Sequence, residues 1–411
     1  MFKSWQEVQQ RKSFMIKNEI NLGLERLQNF LKRLGNPQDK LKIIHIGGTN
    51  GKGSTLRFLE SIFLEHGYQV GVFHSPAYQT LNDQISINRE DISDEEMLKI
   101  IEEFNQKGLE DAHLTEFELQ TAMAFYYFAE MKRVDFAIME VGLGGREDST
   151  NVLTPILSII TNVGLDHVGF LGDSVQKIAY QKAGIIKQGI PVVTGVTQQE
   201  AKDVIREEAE VKQAPCFFFH ERSFDITEEE LSIQGSHQRM NAGLAVKGFD
   251  LLVENGFVQR DEKKVKRGLL NATHPGRFEI LQKQGPIVLD GAHNEEAVAA
   301  LVSSIQNTFA DKEVHIIFGA LKDKPLEKMI ERLDRVATQI TFTSFAFPRA
   351  AKAEELFMLS EHPKKAYEEN WKLALEEGIS KLKKDAVLVI TGSLYFLQET
   401  RTYLLFDKKT K

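Results

Sequence analysis

A chain of 411 residues, 42% hydrophobic and 27% charged, has the profile of a folded globular protein and is too long for one ordinary core. Its formal net charge of −8 argues against nucleic acid as a partner, and its single cysteine, Cys216, excludes an intrachain disulfide and fits a reducing compartment. The polar stretch Met1–Asn21 lacks the apolar core of a signal peptide, and no apolar run approaches the ~18 residues of a membrane span, so a cytoplasmic protein without membrane contact is expected.

Short apolar runs alternate with longer amphipathic ones, the pattern of an α/β fold with a mostly parallel sheet. Strands are expected at Lys42–Gly47, Gln69–His74, Asp135–Val141, Ile156–Asn162 and Pro191–Gly195. Between and after them, helices are expected at Gly53–His66, Ser93–Lys107, Glu116–Lys132, Ser174–Lys187 and Arg239–Asn255. Ser93 and Glu96 form a capping box ahead of Met97, Ile100, Ile101 and Phe104, which recur at helical spacing. A second alternation begins near Gly285, with strands at Ile287–Leu289, Val314–Phe318, Gln339–Thr343 and Val387–Thr391. The stretch Thr273–Gly285, with a proline, two glycines and mixed charge, reads as a linker. The expectation is an N-terminal domain over residues 1–280 containing a phosphate loop, and a smaller doubly wound, Rossmann-like domain over 281–411. The tail Lys408–Lys411 reads as a solvated end.

The strongest signal is the run from Ile43 to Thr55, where a buried strand enters a turn containing Gly47, Gly48, Gly51 and Gly53 and a helix follows. Glycines let backbone N–H groups converge on phosphate oxygens, and the helix N-terminus adds partial positive charge. Lys52 is placed to reach the β- and γ-phosphates, with a hydroxyl just after it for Mg²⁺. The spacing departs from the common phosphate loop: three residues separate Gly47 from Gly51, and Gly53 stands between Lys52 and Ser54. His45, mid-strand, reads as a core histidine.

Two further strands end in polar residues, where open α/β sheets place their ligands. Glu140 closes one and is either a hard-cation ligand or a partner of Arg146. His167 lies beyond the other and is able to ligate a metal as neutral imidazole. Lys182, among small and apolar residues, reads on its own as a surface lysine whose stem is covered.

Taken together, these segments resemble the folylpolyglutamate synthase and dihydrofolate synthase branch of the Mur ligase superfamily. The matching text is Gly48-Thr49-Asn50-Gly51-Lys52-Gly53-Ser54, Glu140-Val141-Gly142-Leu143-Gly144-Gly145-Arg146, Thr150-Asn151, Asn162-Val163, Asp166-His167 and Lys182-Ala183-Gly184-Ile185. It continues through His237-Gln238, Asn241-Ala242, His274-Pro275-Gly276-Arg277 and Leu289-Asp290-Gly291-Ala292-His293-Asn294.

The resemblance implies an ATP-dependent ligase that joins glutamate to a folate or pterin carboxylate through an acyl phosphate, with Mg²⁺ as cofactor. ATP would be held by Thr49, Asn50, Gly51, Lys52, Gly53, Ser54 and Thr55, by Asn241 near adenine, and by Arg277 and Asp290. Ser54, Glu140 and His167 would bind metal with Lys182, which the family carbamylates, and Lys52, Lys182 and His293 would act in the chemistry. Ser75, Pro76 and Gln84 fall in the family's substrate loop, and Phe117 in a segment lining its pterin pocket, although Phe117 reads equally as helix core. The loop departs from the family at Asp83-Gln84-Ile85 and Asn88-Arg89-Glu90, and Gln181 stands where a glutamate commonly precedes the lysine. The rival readings are a ligase acting on nucleotide-linked muramyl peptides, which would need an N-terminal domain that a phosphate loop at residue 47 leaves no room for, and a non-catalytic ATP-binding regulator. A monomer is the default.

Overall fold

The computed structural model of the chain describes residues 23–77, 80–220, 227, 230–235, 237–283 and 285–406. Met1–Asn21 and Lys408–Lys411, read above as a polar start and a solvated end, lie outside the described residues. The chain divides into two compact units, one of residues 1–226 and 240–272, the other of residues 227–239 and 273–411.

The first unit is built on an eight-stranded sheet. Its strands are β1 (Ile43–Gly47), β2 (Val70–Phe73), β3 (Ile85–Ile87), β4 (Glu90–Asp91), β5 (Phe136–Glu140), β6 (Leu157–Ile160), β7 (Val192–Thr194) and β8 (Cys216–Phe218), in the order β4-β3-β2-β5-β1-β6-β7-β8. All neighbours are parallel except β2–β3 and β3–β4. β1 is central and buried along its whole length, as its apolar run requires. β5 and β6 flank it, so three strand C-termini converge where the phosphate loop begins.

The capping box at Ser93 is present: the Glu96 N–H donates to Ser93 Oγ at 3.2 Å and the Ser93 N–H to Glu96 Oε2 at 3.1 Å. Met97, Ile100, Ile101 and Phe104 are buried on that helix, Asp94–Gln106, each contributing about 1.5–3 kcal/mol. The helix expected over Glu116–Lys132 is α-helical only to Tyr126 and widens to π-helical turns over Tyr127–Lys132, ending at Arg133 with φ 54°. In that widened stretch the Tyr127 hydroxyl donates to Glu96 Oε2 at 3.0 Å.

The second unit carries β9 (Glu279–Gln282), β10 (Pro286–Asp290), β11 (Glu313–Phe318), β12 (Gln339–Ser344), β13 (Lys365–Asn370) and β14 (Ala386–Thr391), in the order β13-β12-β11-β14-β10-β9. Only β9 is antiparallel to its neighbour. It falls inside the stretch read as a linker. Three of its four residues are only partly buried and Gln282 is exposed, and hairpin pairing with β10 rather than an apolar run makes it a strand. Apolar clusters occupy both faces of this sheet, one around Phe278, Phe318 and Phe342, the other around Trp371, Ile390 and Phe396. The expected α/β organisation with two mostly parallel sheets is borne out. No helix among the described residues is long and apolar enough to cross a membrane.

Candidate active site

Tight approach dictates the glycines of the phosphate loop. A Cβ on Gly48, where φ is 146°, would lie 1.8 Å from Thr161 Oγ1, and one on Gly51, where φ is 81°, 2.3 Å from Asn241 Oδ1. Only glycine fits these two positions. The backbone is held by neutral groups from beyond β6. Asn162 Oδ1 accepts the N–H groups of Thr49 and Asn50 at 3.2 and 2.8 Å. Thr161 Oγ1 donates to the Asn50 carbonyl at 2.6 Å, and Thr49 Oγ1 to the Gly164 carbonyl at 3.1 Å.

Lys52 opens the helix Lys52–His66 and lays its ammonium over the loop, donating to the Gly48 and Thr49 carbonyls at 3.3 and 3.4 Å. Its Nζ lies 3.9 Å from Glu140 Oε1, and Glu140 is buried at the end of β5. The alternative pairing of Glu140 with Arg146 is not the one formed, because Arg146 Nη2 reaches Glu208 Oε2 at 2.7 Å instead. Ser54 and Thr55 are buried on the first turn of the helix, and Asn241 is buried against Gly51.

Lys182 is only 2% exposed, which overturns the reading of it as a surface lysine. The sequence signal was ambiguous because a helix face of Ile178, Ala179 and Ala183 packs inward and carries the lysine with it. The loop after Glu140 grips this helix. The Arg146 N–H donates to the Gln181 carbonyl at 2.7 Å, and the Arg146 guanidinium stacks 3.9 Å over the Tyr180 ring. Asn151 Nδ2 bridges the Arg146 and Gly184 carbonyls at 2.9 and 3.1 Å. His167 caps the short helix Val168–Leu171 with φ 50°, and its side chain is 41% exposed.

No three His, Cys, Asp or Glu side chains gather among the described residues in a way that could hold a metal. The donors at the loop are instead one hydroxyl, Ser54, and one strand-end carboxylate, Glu140. That set suits a magnesium-type cation, which takes one or two protein carboxylates and completes its shell with substrate phosphates and water.

Asp148 is the residue that sequence reasoning missed. Its Oδ2 accepts the Leu143 N–H at 2.8 Å, and its Oδ1 accepts Thr150 N–H at 3.0 Å and Thr150 Oγ1 at 2.5 Å. Burial raises its pKa against those hydrogen bonds. Thr150 in turn meets His45 Nε2 at 2.8 Å, and burial, with Lys187 adding to it, pushes His45 down to about 3. His45 is therefore a neutral core histidine, satisfied at one nitrogen. The spacing Asp148-x-Thr150 was the available signal, since an Asp two residues before a backbone donor is an Asx turn.

Phe117 packs as a half-buried core residue. Its ring packs 5.6 Å from Phe73 in the core and covers Gly142, where a Cβ would lie 2.6 Å from it. Ser75 and Pro76 follow β2, and Gln84 is buried just before β3 with no partner for Oε1.

In the second unit, Asp290 ends β10, and its carboxylate accepts the Phe278 and Ala292 N–H groups at 2.8 and 2.9 Å. Burial raises its pKa, while Arg277 and these bonds act against the rise. Arg277 Nη1 and His293 Nδ1 both address the Gly291 carbonyl, at 3.5 and 2.8 Å.

Two family models match the chain and together span both units. The Mur ligase middle domain matches residues 46–254, and the Mur ligase glutamate ligase domain matches residues 276–394. The dihydrofolate synthase/folylpolyglutamate synthase of Bacillus subtilis is 41% identical over 98% of this chain and 100% of its own length. The chain belongs to the folylpolyglutamate synthase/dihydrofolate synthase family of Mur ligases. Among solved members, Escherichia coli FolC in complex with DHPP and ADP is 26% identical, with a TM-score of 0.85 over 95% of each chain. The bifunctional folylpolyglutamate synthase/dihydrofolate synthase of Yersinia pestis, complexed with AMPPNP and Mn ion, is 26% identical, with a TM-score of 0.84 over 95% of each chain. Membership makes the chain an ATP-dependent ligase.

Proposed function

We propose that this chain adds L-glutamate to the γ-carboxylate of a reduced folate, using ATP and a divalent cation, Mg²⁺, through an acyl phosphate. The observation that carries this reading is the pairing of the Lys52 ammonium with Glu140 across a loop whose glycines admit no side chain.

A carboxylate is a poor acyl donor at neutral pH. Its oxygen attacks the γ-phosphoryl group in line, ADP leaves, and the carboxyl becomes an acyl phosphate. Lys52 would face the charge that grows on the phosphoryl oxygens, with Thr49, Asn50, Gly51, Gly53, Ser54 and Thr55 shaping the cradle around them. Asn241 packs against Gly51 and would contact the adenine. The cation, when bound, supplies charge neutralisation, and Ser54, Glu140, His167 and a carbamylated Lys182 are the groups that would hold it. Carbamylation would turn the Lys182 ammonium, which is 2% exposed, into a carboxylate-like anion able to share a divalent cation with Glu140. The amine of glutamate then attacks the acyl phosphate, phosphate leaves, and the amide forms. Within the second unit, His293 would assist with the transferred phosphate, and Arg277 and Asp290 would contact the nucleotide.

Residues 1–280 would bind ATP and the folate, through Ser75, Pro76, Gln84 and Phe117, and residues 281–411 would form the glutamate-ligase domain. The enzyme acts as a cytoplasmic monomer. Escherichia coli FolC is described with DHPP as well as ADP, which supports dihydropteroate as a second acceptor.

ADP release with ATP, Mg²⁺ and glutamate tests the reading, with tetrahydrofolate compared against dihydropteroate. Turnover with tetrahydrofolate alone marks a dedicated polyglutamylating enzyme, and turnover with both marks a bifunctional one. Turnover with neither, in folded protein that binds ATP, overturns the acceptor assignment.

A further inference from the structure

The second unit contains an ion pair that the chemistry above does not use. Glu279, the first residue of β9, accepts the Gly276 N–H on Oε2 at 2.8 Å. Arg401 holds the same carboxylate in a fork. Its Nε lies 2.8 Å from Oε2 and 3.1 Å from Oε1, and its Nη2 lies 3.0 Å from Oε1. Arg401 lies on the helix Leu394–Phe406, 122 residues away in sequence. A bidentate guanidinium fixes the plane of a carboxylate as well as its place, which a lysine cannot do.

The turn that this pair grips is held against its own preference. Gly276 has φ 70°, and Phe278 has φ 46°, a left-handed conformation that a bulky residue rarely adopts. Phe278 stays there because its N–H donates to Asp290 and its ring is buried. Arg277 sits between these two residues. The same helix backs both loops: a Cβ on Gly276 would lie 2.6 Å from Leu397 Cδ2, and one on Gly291 2.2 Å from Leu394 Cδ2. The Gly291 N–H also donates to the Gly276 carbonyl at 2.9 Å.

We propose that Arg401 is a positioning residue for nucleotide binding: through Glu279 it holds the Gly276–Phe278 turn so that the Arg277 guanidinium keeps one orientation. The inference rests on the reading of Arg277 as a nucleotide contact. Removing the fork frees the carboxylate to turn, the turn relaxes, and Arg277 loses its fixed approach, while the residues that meet the folate are untouched.

The test is a double-mutant cycle on the full chain with R277A, R401A and the double variant. ADP affinity is measured by calorimetry, and ATP KM, folate KM and kcat by ADP release. R277A should weaken ADP binding and raise ATP KM about tenfold or more. R401A should weaken both by about tenfold and leave kcat at saturating ATP and the folate KM within about twofold. The double variant should match R277A, and R401K, with charge but no fork, should fall between wild type and R401A. If R277A has no effect, the nucleotide assignment of Arg277 fails and this proposal fails with it. If R277A weakens binding and R401A does not, the proposal alone is overturned. It is also overturned if the two losses multiply, or if R401A lowers every constant together with the melting midpoint. Should R401A not fold, R401K and E279Q carry the same comparison.

Discussion

The loop after β1 and the loop pair around β9 and β10 do similar work by opposite means. The first is fixed by neutral groups, the Asn162 amide and the Thr161 and Thr49 hydroxyls, with the Glu140 carboxylate 3.9 Å from Lys52. The second is fixed by two carboxylates, Asp290 and Glu279, each taking backbone N–H groups, with Arg277 and Arg401 beside them. The difference teaches where charge is tolerable. The loop proposed as a phosphate cradle is fixed without carboxylates, whereas the loop proposed to present one guanidinium gains rigidity from charged acceptors.

The largest effect should come from the cation that the neutral loop serves. Lys52→Ala should lower kcat/KM about 10³-fold, roughly 4 kcal/mol, in the ADP-release assay. An enzyme within tenfold of wild type would show that the backbone cradle alone carries the phosphate.

Next is the backbone of the neutral loop. Gly48→Ala places a Cβ 1.8 Å from Thr161 Oγ1 at φ 146° and should cost about 3 kcal/mol in denaturant unfolding. Gly67→Ala, at φ 89° with nothing within 4 Å, should cost only about 1 kcal/mol. Equal losses would mean that conformation rather than crowding decides both.

Exchanging the two chemistries probes the comparison directly. Asn162→Asp should weaken ADP binding by about 1–2 kcal/mol through repulsion of the phosphates, and Asp290→Asn by less. Asp290 also gives a pH signature. Burial raises its folded pKa above the unfolded 3.8, so its contribution to stability is fully present below 3.8 and is lost as pH rises through the raised value. The stability of wild type relative to D290N should therefore fall across that window. A difference independent of pH would show that the charge is already compensated.

The smallest effect has the opposite sign. At Glu96 desolvation alone would raise the pKa, but hydrogen bonds from Lys132, Ser93 and Tyr127 outweigh it and hold the carboxyl at about 2. Its contribution is present above 4.5 and is lost as pH falls toward 2. Glu96→Gln should cost under about 1 kcal/mol at neutral pH, since the group is largely solvent-screened, and nothing near pH 2. A cost that persists at the acid end would assign the loss to packing.

Much of this was legible because the signals are local. The strand Ile43–Gly47, the glycine run and Lys52 are consecutive, and the Ser93–Glu96 capping box closes within one turn. The short strands β3, β4 and β9 were not, because antiparallel pairing rather than their own composition makes them strands. Gly142 was quoted for a loop, yet the Phe117 ring beside it explains why that position admits no side chain.

By itself, then, the sequence determined the order of the main parallel strands, the glycine-rich loop after the first of them and the family, since hydrophobic period and glycine spacing act over a few residues. Tertiary structure alone decided that Arg146 pairs with Glu208 rather than Glu140, that Lys182 is buried, and that Arg401 reaches Glu279. The partners in those ion pairs stand 62 and 122 residues apart, and no local propensity encodes a contact that exists only once each unit has folded and brought its own distant segments together.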